Sequence, residues 1–174
     1  MELVSPKDVQ DLPDAVSEAE YKHAMRRVVS PVAVITARSP RGRNGLTATA
    51  ICSVTTNPPT IVVCVNRRAK MLSLVGENGA FAVNFLSEQQ SDLARAFSNH
   101  ELKGEARLAL GRWTGLKTGA PILEESVSSF DCVLEQSLIH GTHEVLFGRV
   151  VAVTSTEFNA LLYRDGFFRR VAPE

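Results

Sequence analysis

Short runs of β-branched and small apolar residues alternate along this chain with clusters of proline, glycine, asparagine and aspartate. Val32-Ala33-Val34-Ile35-Thr36 reads as a buried strand, and Ser39-Pro40-Arg41-Gly42-Arg43-Asn44-Gly45 is turn chemistry that brings the next strand back beside it. Gly45 to Val54 is that partner, Asn57-Pro58-Pro59 breaks it, and Thr60 to Asn66 is a third strand. Ala80 to Leu86 follows as a fourth. Ser128 to Ile139 and Glu144 to Thr154 pair through the turn His140-Gly141-Thr142-His143. A last short pair, near Leu161–Tyr163 and Phe167–Val171, turns at Arg164-Asp165-Gly166. About seven strands in sequential hairpins, with two or three short helices, favour a closed antiparallel barrel carrying its helices on the rim.

The helices announce themselves by their caps. Ser17 with Glu20 three residues on is a capping box for a helix from Ser17 to Val29, whose stripe is Tyr21, Ala24, Met25 and Val28 and which Pro31 stops. Ala69 to Glu77 is a short helix ended by Asn78-Gly79, and Ser87 with Gln90 caps another that runs to Phe97. From Ser98 to Thr118 the pattern dissolves into charges, glycines and the single tryptophan, which reads as a mobile excursion. Residues 1–17, with two prolines and four acidic residues, read as an arm that is loosely ordered or docks on a partner subunit. Residues 18–174 read as one domain.

Nineteen basic and nineteen acidic side chains cancel, so no global field recruits nucleic acid or anionic lipid. The longest apolar run, Ile61 to Val65, is far short of the roughly 20 residues a membrane helix needs, and the first residues lack the flanks of a signal peptide. Cytoplasm is the expected location. Cys52, Cys64 and Cys132 sit in strand-like surroundings without a CxxC, which points to buried thiols and away from zinc. His23 and His100 read as solvated, and no third ligand accompanies the His140/His143 pair, so no metal site is expected.

Three features could carry chemistry. In Gly45 to Val54, strand alternation sends Leu46, Ala48, Ala50, Cys52 and Val54 to one face and Thr47, Thr49, Ser53 and Thr55 to the other. That row of hydroxyls, on a backbone crowded with small side chains, is either good barrel packing or a shelf for a flat polar ligand. Asn66-Arg67-Arg68-Ala69-Lys70 lies where a strand meets a helix start, which suits a phosphate, or is a solvated basic turn. Asn84 interrupts an apolar strand, with Ser87 at its end; a buried amide there bonds either to backbone or to a ligand. No GxSxG, HExxH, paired-carboxylate or GxGxxG signature is present.

In order and spacing these pieces resemble the flavin reductase-like family of FMN-binding split barrels, from about Tyr21 to Val171. The resemblance runs through Tyr21-Lys22-His23-Ala24-Met25, Val32 to Thr36, Gly45-Leu46-Thr47-Ala48-Thr49-Ala50, Ser53-Val54 and Pro58-Pro59. It continues through Cys64-Val65-Asn66, Phe81 to Ser87 with Gln90, Trp113, Gly119-Ala120-Pro121-Ile122-Leu123 and Gly141 to Val150. It implies a mainly β, antiparallel, Greek-key-like split barrel with short helices, assembled as a homodimer with one FMN or FAD per subunit and NADH or NADPH as donor. Thr47, Ala48, Thr49, Ala50 and Ser53 would then lie along the flavin, Asn66 and the turn Arg67 to Lys70 at its phosphate, and Asn84 and Ser87 close by. His143, the catalytic candidate, would position the nicotinamide, with Tyr163 and Gly166 near the dinucleotide. Thr142, Pro31 and Thr49-Ala50 depart from the family's usual aspartate, glycine and Asn-Ser.

The implied activity is hydride transfer from NAD(P)H to flavin, which then serves a partner monooxygenase or another acceptor. The narrower alternative is a flavin-dependent corrin reductase of aerobic cobalamin synthesis. From a different class, a non-catalytic flavin-binding electron carrier fits the same residues, and a pyridoxamine phosphate oxidase relative would need a second phosphate site that the sequence does not signpost.

Overall fold

The computed structural model describes residues 13–172. In chain order the elements are α1 (Glu18–Met25), β1 (Ser30–Pro31), β2 (Ala33–Ser39), β3 (Gly42–Ala48), β4 (Ile51–Thr56), β5 (Pro59–Asn66), α2 (Met71–Asn78) and β6 (Ala80–Phe85). Then come α3 (Ser91–Ser98), α4 (Gly104–Leu108), β7 (Trp113–Gly115), β8 (Pro121–Leu123), β9 (Ser128–His140), β10 (His143–Ser155), β11 (Leu162–Arg164) and β12 (Phe167–Arg169).

Seven strands form one antiparallel sheet in the order β3-β2-β6-β9-β10-β5-β4. Three hairpins build it (β2–β3, β4–β5 and β9–β10), and β6 enters between β2 and β9 after the α2 crossover. The core follows from this placement. β2 lies between β3 and β6, so Ala33, Val34, Ile35, Thr36 and Ala37 are all fully buried. On one side Ile35, Val63, Phe81, Val83 and Leu146 pack with Met71 and Val75 of α2. On the other, Val34, Leu86, Leu93, Phe97 and Leu123 pack under α3.

The sheet is not closed by hydrogen bonds; it ends on β3 and β4. Thr49 and Ala50 carry the chain from one edge to the other, with the Ile51 amide donating to Thr49 O and the Cys64 amide to Ala50 O. This corrects two expectations drawn from the strand pattern. The barrel is not closed but split along one seam, as the resemblance implied, and the hydroxyl row from Gly45 to Val54 is not one strand. Two-residue alternation holds only within a continuous strand, so the break at Thr49-Ala50 uncouples Ser53 and Thr55 from Thr47.

The Ser17–Glu20 capping box forms as its spacing requires, with the Glu20 amide donating to Ser17 Oγ at 3.2 Å and the Ser17 amide to Glu20 Oε2 at 3.0 Å. α1 ends earlier than expected, at Met25, and buries none of its residues; Tyr21, Met25 and Val28 are exposed. The helix after β6 starts at Ser91 with Gln90 as its cap residue, because Ser87 is drawn into a turn in which its amide donates to Gln90 Oε1 at 2.9 Å. Of the arm expected over residues 1–17, only 13–17 fall within the described residues, and they have no regular structure.

The stretch after Ser98, expected to be mobile, is pinned. Arg43 reaches Glu105 through Nη2 to Oε2 at 2.5 Å and Nε to Oε1 at 3.1 Å, holding α4 against the first hairpin. Trp113 lies 5.5 Å from the buried ring of Phe97, centroid to centroid, and donates from Nε1 to Leu110 O at 3.0 Å. Sequence composition showed the charges but not their partners, which lie 62 positions away.

Candidate functional site

The seam between β3 and β4 opens into a cleft of about 880 Å³. One wall is the end of β3 with the crossing residues: Gly45, Leu46, Thr47, Ala48, Thr49 and Ala50. The second is the end of β5 and the turn into α2, with Cys64, Asn66, Arg68, Lys70 and Met71. His143, the first residue of β10, sits opposite Asn66 in the strand register and joins that wall. The segment between α3 and α4, with His100, Leu102 and Lys103, closes the remaining side together with Arg107 of α4.

The floor is shaped by close backbone approach. A Cβ on Gly45 would stand 2.7 Å from Ile35 O and 2.9 Å from Phe97 Cε1, so only glycine lets β3 press this tightly onto β2 and α3. Thr47 faces the same way, and its hydroxyl donates to Ala94 O of α3 at 2.7 Å. That proton is therefore committed within the protein, and Thr47 offers a ligand only lone pairs. Thr49 and Ala50 are exposed at the rim, between the strands, with their carbonyls accepting from the Ile51 and Cys64 amides.

The basic turn is ordered by its own asparagine. Asn66 Oδ1 accepts from the Arg68 amide at 3.0 Å, and Asn66 O accepts from the Ala69 amide at 2.9 Å. This aims Arg68 and Lys70 along the cleft. Arg67 does not line it; its amide donates to Thr142 O at 3.0 Å and ties the turn to the β9–β10 hairpin. His143 Nδ1 lies 2.9 Å from Thr142 Oγ1.

Electrostatically the cleft is one-sided. Arg68, Lys70, Lys103 and Arg107 line it, and among the described residues no aspartate or glutamate does. The ion pairs among the described residues engage other side chains: Lys22, Arg41, Arg43, Arg112 and Arg149. In a chain whose basic and acidic groups balance, four cations without a carboxylate in one concavity favour an anion. Burial pulls the Arg107 guanidinium below its ordinary value, though an arginine stays charged. Arg107 donates from Nη1 to Gly45 O at 2.7 Å and from Nη2 to Asn99 O at 2.5 Å, which fixes the third wall to the floor.

Several expected residues lie elsewhere. Asn84 is fully buried with every polar atom engaged by protein. Its Nδ2 donates to Val34 O at 3.1 Å, Thr36 Oγ1 at 3.2 Å and Pro121 O at 3.4 Å, and its Oδ1 accepts from the Leu123 amide at 2.9 Å and Ser129 Oγ at 2.8 Å. It joins β2, β6, β8 and β9 and does not reach the cleft. Ser87 is likewise buried at a turn, bridged to Ala160. Ser53 is exposed on β4, carried past the cleft by the break at Thr49-Ala50. Tyr163 and Gly166 belong to the separate sheet β1-β11-β12, where Tyr163 stacks edge-on against Phe168 at 5.8 Å, and neither lines the cleft.

The structure thus brings together Thr47, Ala48, Thr49, Ala50, Asn66, Lys70 and His143, and adds residues the sequence reading passed over. Lys103, just before α4, and Arg107, in its last turn, both line the cleft, but charges seen in sequence do not reveal what they face. Cys64 was assigned to a strand interior, and it lines the cleft because the seam opens beside it.

Comparison with known proteins bears on this cleft. The family described as Flavin reductase like domain matches residues 25–172. The FMN reductase (NADH) RutF of Variovorax paradoxus is 38% identical over 161 residues, covering 92% of this chain and 89% of that protein. Among solved structures, the Streptomyces globisporus NADH:FAD oxidoreductase SgcE6, in complex with NAD and FAD fragments, superposes with a TM-score of 0.83 at 27% identity, covering 100% of this chain and 99% of that one. BorF, the flavin reductase component of a bacterial two-component tryptophan halogenase, superposes with a TM-score of 0.83 at 25% identity, over 91% of this chain and 100% of its own.

Proposed function

The chain belongs to the flavin reductase-like family, and from that premise we propose that the seam cleft binds FMN or FAD and that the protein reduces it with NAD(P)H. The observation that carries this reading is the acid-free cleft with four cations and His143 at its edge. Its size suits a flavin-sized ligand, since such sites run to roughly 300–1,000 Å³.

Bound flavin supplies the redox chemistry, accepting a hydride from the nicotinamide at N5. The protein's task is placement. The main chain of β3 and the crossing at Thr49-Ala50, narrow because its side chains are small, let a flat ring lie close to backbone donors and acceptors. Arg68 and Lys70 at the turn, with Lys103 from the facing wall, hold the phosphate. His143 positions the nicotinamide; no proton transfer by a side chain is required, which fits a cleft lined by no acid. Tyr163 and Gly166 contact the dinucleotide only if a second subunit brings them there.

We also propose a homodimer. α1 buries nothing within the chain, and Val54, Ile139 and Val153 stand exposed at 49%, 58% and 60% on the outer faces of β4, β9 and β10. A sedimentation measurement giving a monomer at micromolar concentration would remove this part of the reading. Reduced flavin leaves for a partner enzyme such as a monooxygenase, a reading that the two-component tryptophan halogenase served by BorF supports in kind; the corrin acceptor finds no specific support among these relatives.

Titration with FMN and with riboflavin tests the assignment, because the two differ only in the phosphate. Charged hydrogen bonds to that phosphate are worth about 1.5–3 kcal/mol each, so FMN should bind at least about 10-fold more tightly. The preference should narrow with added salt. Equal affinities at low salt would contradict the phosphate assignment, and failure of NADH to reduce FMN in the presence of the protein would contradict the activity.

A further inference from the structure

Resting on that reading of the cleft, we propose that Thr142 is a positioning residue: it holds the His143 imidazole in one tautomer and one orientation for the dinucleotide. The hairpin tip from His140 to His143 is exposed, so no packing fixes His143. Two polar contacts take that role. The Thr142 carbonyl accepts from the Arg67 amide at 3.0 Å, docking the tip on the basic turn that Asn66 orders. The Thr142 hydroxyl then stands 2.9 Å from His143 Nδ1.

The consequence is chemical as well as geometric. A hydroxyl can donate to an imidazole nitrogen or accept from it, and in the proposed arrangement it donates. With the hydroxyl donating to Nδ1, the proton resides on Nε2, which has no partner among the described residues and is left as a donor for the nicotinamide carboxamide oxygen. A hydroxyl does this without adding negative charge beside a ligand that already bears phosphates. A neighbouring carboxylate would orient the ring equally well but would disfavour the approach of that anion. Thr142 touches neither flavin nor nicotinamide in this arrangement and acts only through His143.

Thr142→Val keeps the side-chain shape and removes the O–H, and Thr142→Ser restores it. In nitrogen NMR of the free protein, His143 in the wild type and in Thr142→Ser should show an unprotonated Nδ1 and a protonated Nε2, whereas Thr142→Val should show a mixture. The KM for NADH should rise about 2- to 10-fold in Thr142→Val, the loss expected for one hydrogen bond, and return in Thr142→Ser. FMN affinity and kcat should stay within about twofold, since Thr142 does not contact the flavin. An unchanged spectrum in Thr142→Val overturns the proposal, as does an unchanged KM, a serine variant that fails to rescue, or an equal loss of FMN binding. If the wild type neither binds FMN nor oxidises NADH, the reductase reading itself has failed, and the failure is visible before any variant is made.

Discussion

Replacing Asn84 with leucine separates a structural amide from a cofactor ligand. The side chain is fully buried and makes four bonds of 2.8–3.2 Å and a fifth, long one at 3.4 Å. Leucine keeps the same branching, with bulkier methyl groups, and makes none of them. The Leu123 amide then has no acceptor, which costs about 1–3 kcal/mol. Losing the Nδ2 bonds to Val34 O and Thr36 Oγ1 adds about 0.5–1.5 kcal/mol each. Two neighbours limit the damage: Ser129 keeps Ser126 Oγ at 2.8 Å, and Thr36 still donates to Pro121 O at 2.6 Å. The sum is about 2–6 kcal/mol out of a total stability of roughly 5–15 kcal/mol. With a urea slope of about 2 kcal/mol/M, the unfolding midpoint should fall by about 1–3 M. FMN affinity, measured by fluorescence on the folded protein well below that midpoint, should stay within about twofold because no atom of Asn84 reaches the cleft. A variant with an unchanged midpoint and FMN binding weakened about 10-fold would refute this reasoning and return Asn84 to the flavin site.

Other consequences are equally direct. Gly148→Ala should destabilise by about 1–3 kcal/mol in urea, since its Cβ would stand 2.4 Å from Phe81 Cζ and 2.9 Å from Cys132 Cβ in a core that cannot give; a neutral result would mean that Phe81 moves. Burial, with Asp131 adding to it, pushes the Cys132 thiol up to about 12, so maleimide at neutral pH should label exposed Cys52 and leave Cys132 until denaturant is added. Mass spectrometry of the native protein showing label on Cys132 would contradict its placement. Hydrogen bonds from Arg43 hold the Glu105 carboxyl below its ordinary range, so this pair stabilises the fold above the unfolded carboxylate value and loses that contribution as pH falls through the folded one. Glu105→Gln should therefore cost under about 1 kcal/mol at neutral pH, as suits an exposed pair, and nothing in acid below the lowered folded-state value. A difference that persists in acid would mean the pair acts by packing rather than charge.

What was legible in the sequence was whatever local chemistry decides. The Ser17–Glu20 box, the turn at Asp165-Gly166 and the paired strands β9 and β10 follow from residues within a few positions of one another. The hydroxyl row misled because alternation was read across Thr49-Ala50, where the chain leaves one sheet edge for the other, and no breaker residue marks that crossing. The charged segment from Asn99 to Leu110 looked mobile because its anchors, Gly45 O and Arg43, are distant in sequence. Asn84 was an open choice between backbone and ligand, and only the arrival of β8 and Ser129 decided it. For the cleft, the basic turn and His143 were visible, whereas the cations of the opposite wall became meaningful only when α4 was placed across from them.

The central claim is that the seam cleft holds flavin where NAD(P)H can reduce it. Its most direct test is anaerobic addition of NADH to the purified protein saturated with FMN, following the flavin absorbance. The account predicts stoichiometric bleaching by NADH, greatly slowed in His143→Ala while FMN remains bound. Protein that binds FMN yet keeps its full colour under excess NADH and NADPH would contradict it, and would leave a flavin carrier in place of a reductase.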